Sequence, residues 1–74
     1  MPFPLDPHPS LLWTLRRDGR VASCEVRLVP TGSDVRMLRD GSLLMSRIFS
    51  TGEEALAWAE EERTRLTERG WTAR

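Results

Sequence analysis

Apolar and polar residues alternate along most of the chain up to residue 49, and the spacing then changes to a helical one. From Leu11, Leu11, Trp13 and Leu15 fall on one side and Leu12, Thr14 and Arg16 on the other, the period-two signature of a strand with Trp13 inward. A second run sets Ala22, Cys24, Val26 and Leu28 against Ser23, Glu25, Arg27 and Val29, which predicts a central or near-central strand. Asp18-Gly19 between them suits a two-residue hairpin, whose central residues both take positive φ. Pro30-Thr31-Gly32-Ser33-Asp34 reads as a wider turn. A short third strand over Val35-Arg36-Met37-Leu38-Arg39 follows, and Asp40-Gly41 repeats the hairpin signal before a fourth run, Ser42 to Phe49. Its register is open: either Leu44, Ser46 and Ile48 face inward, or Leu43, Met45 and Phe49 do, with Arg47 an awkward inward member.

The last third predicts one capped amphipathic helix. Ser50 and Thr51 each stand three residues before a glutamate, Glu53 and Glu54, so a capping box forms in either register. Ala55, Ala59 and Leu66 share one line of the helix, with Trp58 and Leu56 on its flanks. Glu61 and Arg65 form an i,i+4 pair, while Glu62 falls beside the apolar stripe and needs a partner or a solvent path. Gly70 is the C-cap candidate, and Trp71 folds back onto the helix end. The expected fold class is α+β: an antiparallel meander of three to four strands with one C-terminal α-helix packed on one face. Residues 1–10, which hold four of the five prolines, read as an extended arm, and 11–74 as the ββββα domain.

Composition narrows the chemistry. One cysteine among 74 residues permits neither an intrachain disulfide nor a thiolate metal cluster, which fits a reducing, cytoplasmic setting. The longest apolar runs, such as Leu43-Leu44-Met45, are too short to span a bilayer, so no membrane partner is expected. All eleven basic residues are arginine, as a GC-rich bacterial genome favours. Net charge is zero but unevenly placed: residues 11–49 carry seven arginines against Asp18, Glu25, Asp34 and Asp40, and the helical third carries six glutamates.

No constellation specifies a reaction, and neither cofactor nor metal is expected. His8, the only histidine, lies in the proline-rich arm, and Cys24 faces inward as a small hydrophobe. Glu60, Glu61 and Glu62 diverge around a helix and cannot clamp one ion. If Leu15 and Val26 face the helix, then Arg16 and Arg27 face the open side of the sheet, where Arg36 joins them as a possible anion or nucleic-acid contact. Leu38, Leu43 and Leu44 are the candidates for self-association, because a sheet covered on one face leaves the other open.

Arg39-Asp40-Gly41, leading through Arg47-Ile48-Phe49-Ser50-Thr51 into Glu54-Ala55-Leu56-Ala57-Trp58, resembles the arm-binding amino-terminal domain of tyrosine-type phage integrases. The resemblance implies a three-stranded sheet plus one helix, with the sheet reading the DNA major groove. The residues themselves favour a small non-enzymatic binding or assembly module that pairs with itself, as a homodimer, or with another protein. A DNA-binding module with a basic sheet face and a small protein inhibitor are the alternatives.

Overall fold

Two Asp-Gly turns shape the sheet. In the computed structural model, which describes residues 9–73, Asp18 and Gly19 have φ of 49° and 77°, and Asp40 and Gly41 have 52° and 84°. Such paired positive values match the right-handed twist of the flanking strands. The resulting hairpins give β1 (Ser10–Arg17), β2 (Arg20–Val29), β3 (Gly32–Arg39) and β4 (Ser42–Phe49), followed by α1 (Gly52–Glu68). The four strands form one antiparallel sheet in the order β1-β2-β3-β4. The fold is thus a small α+β domain with an open meander sheet and one C-terminal helix. No helix among the described residues is long and apolar enough to cross a membrane.

The helix ends follow their local chemistry. Thr51 is the N-cap: its hydroxyl accepts from the Glu54 N–H at 3.2 Å and donates to the Glu54 carboxylate at 3.0 Å. Ser50 donates to the same carboxylate, so both hydroxyls serve one cap. At the other end Gly70, at φ 93°, lets Trp71 N–H bond the Leu66 carbonyl while Gly70 N–H bonds that of Thr67. These two bonds are a Schellman motif, and Trp71 packs against Leu66 within the same buried cluster.

One face of the sheet carries the core. Cys24, Val35 and Met37 pack with Ala55 and Ala59, and Leu15 and Ala22 pack with Leu66 and Trp71. Trp13 bridges the two clusters, and its indole N–H donates to the Ala59 carbonyl at 3.1 Å, which ties β1 to the helix. Alanine at 55 and 59 lets the helix approach closely, and both residues are buried.

Several local expectations are corrected. β1 contains a bulge: Leu11 pairs with Glu25 and Trp13 with Cys24, leaving Leu12 as the extra residue. Leu12 therefore packs on the core, and Leu11 is exposed on the other side. β3 starts at Gly32, so Pro30-Thr31 alone forms the turn. Leu56 faces solvent and contributes little to the apolar stripe. Arg65 pairs with Glu62 at 2.8 Å, one turn position from the expected Glu61, and this gives the half-buried Glu62 its cation.

Candidate functional site

The register of β4 is settled by its ladder with β3. Val35 stands opposite Arg47 and Met37 opposite Met45, so Met45, Arg47 and Phe49 share the helix side. Arg47 is accommodated there by aromatic rings: its guanidinium lies 4.9 Å from the Phe49 centroid and 5.9 Å from that of Trp58. Phe49 and Trp58 themselves meet at 5.6 Å. The ladder then shifts, and Leu38 stands opposite Leu43, which makes Leu44 the extra residue of a second bulge. Leu38 and Leu43 thus form a cross-strand pair on the open face, with Leu44 beside them.

β4 is the last strand of the sheet and carries no ladder partner on its outer side among the described residues. It is also unusually apolar for such a position. Leu43, Leu44, Met45 and Ile48 are 50%, 61%, 46% and 55% exposed, and Arg47 is the one charge in the strand. Edge strands in monomers are commonly guarded by proline, several charges or a covering segment. The opposite edge is guarded in that way: Arg16 and Thr72 exchange backbone bonds of 2.6 and 2.9 Å, so the chain after the helix covers β1 at that point.

The free backbone groups of β4 can be assigned. Asp40 N–H bonds the Val21 carbonyl at 2.8 Å, which makes Val21 and Asp40 a bonded pair of the β2–β3 ladder. Bonded and non-bonded pairs alternate in antiparallel ladders, so Glu25 with Arg36 and Arg27 with Asp34 are bonded pairs too. Arg36 and Asp34 then direct their backbone groups toward β2. Their partners on β4, Ser46 and Ile48, direct theirs to the free edge.

The three arginines expected on the open face are placed there by register, but two are engaged. Arg27 meets Asp34 at 3.1 Å, and Arg36 meets Glu25 at 3.8 Å. Asp34 is buried, and its second oxygen, Oδ1, has no hydrogen-bond partner among the described residues, so Arg27 supplies the charge that its burial demands. Other arginines gather at the end of the domain where β1 turns into β2. A recess of about 560 Å³ there is lined by Arg16, Arg17 and Arg20, and an adjoining one of about 370 Å³ adds Arg39 and Arg69. Arg39 lies over the Trp71 ring at 4.6 Å, and Arg20 is tied to Asp40 at 3.1 Å. The N–H of Val21, followed by Arg20, holds the Asp40 carboxyl below its ordinary range.

Cys24 is fully buried, and burial, with Glu25 and Glu62 nearby, pushes its thiol up from 9.0 to about 11. At neutral pH that leaves roughly a hundredfold less thiolate than in the unfolded chain. A thiol reagent is therefore expected to modify Cys24 far more slowly in buffer than in denaturant, and equal rates would contradict this register of β2. The same shift affects stability. The folded thiol holds its proton more tightly, so its contribution is complete below pH 9 and is lost as pH rises from 9 toward 11. Urea midpoints of the wild type and Cys24→Ala across that range measure the effect.

Among the described residues no three His, Cys, Asp or Glu side chains are grouped as metal ligands; of the proline-rich arm expected over residues 1–10, residues 1–8 with His8 lie outside them, and Ser10 belongs to β1. The arrangement defines a small sheet-and-helix domain whose distinguishing surface is one apolar free edge. No family model, curated protein or solved structure matches the chain.

Proposed function

We propose that this chain is a small non-enzymatic assembly module that self-associates through the free edge of β4 and the apolar corner formed by Leu38, Leu43 and Leu44. The observation that carries the reading is the edge itself, eight residues long with four large apolar side chains about half exposed. Pairing with a second copy satisfies the outward backbone groups and covers part of those side chains in one step. The open face favours this over the DNA-binding reading that the integrase resemblance implies, because Arg27 and Arg36 already meet carboxylates.

Amide hydrogen exchange tests the reading at the residues concerned. The Ser46 and Ile48 amides are expected to gain protection as protein concentration rises, while exposed turn amides such as Gly19 stay unchanged. Added duplex DNA is expected to leave them unaffected. Concentration-independent exchange at both amides, with protection appearing on the open face when DNA is added at low salt, would support the DNA reading instead.

A further inference from the structure

The edge of β4 is self-complementary in one register, and we propose that two copies pair β4 against β4 antiparallel about a two-fold axis through Ser46. The inference rests on the self-association reading and adds the partner's geometry to it. Three observations select this register. First, the outward backbone groups are those of Ser46 and Ile48, so an axis through Ser46 lets the two Ser46 residues exchange both bonds, with Ile48 then beside Leu44 of the second copy. Second, residues opposed across a ladder share a face, so Met45 stands opposite Arg47 of the second copy. An axis one residue later sets Arg47 against its own copy, a like-charge pair at about 4.5 Å between Cα atoms. Third, Ser46 lies near the middle of Ser42–Phe49, so the paired stretch runs from Leu44 to Ile48 and ends at the Leu44 bulge, beyond which Leu43 and Phe49 lie on opposite faces.

The helices do not obstruct this arrangement. The helix meets β4 through Trp58, whose ring contacts Phe49 and lies near the Arg47 guanidinium, and the two-fold carries the two Phe49 residues to opposite ends of the paired strands. A sheet of eight strands results, with both helices on one side and only the two β1 strands as outer edges. Each of those is bridged at Arg16 by Thr72, so the contact closes as a dimer and does not propagate.

Cysteine placement tests the register separately from association. In Ser46→Cys the two thiols sit across the axis on a bonded pair, with Cα atoms about 5.5 Å apart, inside the range that a disulfide spans. In Ser42→Cys they are eight residues out of register, about 27 Å apart. Both positions are exposed, and Cys24 is buried and does not compete. Mild oxidation is expected to give a covalent dimer from Ser46→Cys and none from Ser42→Cys, and nitroxide labels at the same two positions report the short and the long separation directly. A dimeric mass with equal coupling at both positions, or with a long separation at Ser46, overturns the register and leaves self-association standing. A monomeric mass at high concentration overturns both.

Discussion

Gly32→Ala is expected to destabilise the fold severely. Gly32 has φ 144°, and a Cβ there would fall 2.0 Å from the Phe49 carbonyl oxygen, which is backbone and cannot rotate away. The substituted chain must break the last rung of the β3–β4 ladder, where Ser33 stands opposite Phe49, and so loosen the stacking of Phe49 on Trp58. A cost above about 4 kcal/mol is expected. The whole domain holds about 4 to 11 kcal/mol on the usual scale for a chain of this length, so the substitution removes at least about a third of it and the melting transition should fall steeply. Circular dichroism melts of wild type and variant decide the point, and a variant within about 1 kcal/mol of wild type would contradict the placement of Gly32 against Phe49.

Ser46→Pro is expected to separate association from folding. The Ser46 N–H points away from β3, so proline removes no bond of the internal ladder, and edge positions whose N–H faces outward are the ones where strands tolerate it. Its ring also suits an extended neighbour, which Met45 already is. Fold stability should change by no more than about 1 kcal/mol. Association should weaken by about a hundredfold or more, because both bonds across the axis are lost and the two rings meet there. Sedimentation equilibrium on the variant measures the second effect, and its thermal melt measures the first.

The sequence was informative where structure depends on a few neighbouring residues. Asp18-Gly19 and Asp40-Gly41 marked the hairpins through their backbone preferences, and Ser50-Thr51 with Glu54 marked the helix start. Gly70-Trp71 marked its end. The faces of β2 followed from simple alternation, apart from Leu28, which is exposed. Residues 12 and 44 were less legible, because a bulge depends on what the neighbouring strand offers and leaves no mark in a period-two pattern. The Arg16–Thr72 bridge joins segments 56 residues apart and had no local signal.

The candidate site divides in the same way. Parity alone put Arg16, Arg27 and Arg36 on the open face, but the cross-strand register decided that Asp34 and Glu25 would occupy two of them. The apolar character of Leu38, Leu43 and Leu44 could be read directly, whereas the outward direction of Ser46 and Ile48 required the ladder. The gathering of Arg17, Arg20, Arg39 and Arg69 also depends on tertiary packing, since the helix end must first come down beside the β1–β2 turn. Arg47 shows how a charge on the helix side of a strand can be kept: it is exposed and lies against a pair of rings, which a search for opposite charges overlooks.

Absolute molar mass by light scattering, measured for wild type and Ser46→Pro at low and high salt, shows whether the chain pairs through β4. Twice the 8.5 kDa chain mass is expected for wild type at both salts, because an apolar, backbone-paired contact is not weakened by counterions, and a single chain mass for the variant. A wild type that runs as a monomer throughout, or a dimer that Ser46→Pro leaves intact, would contradict it.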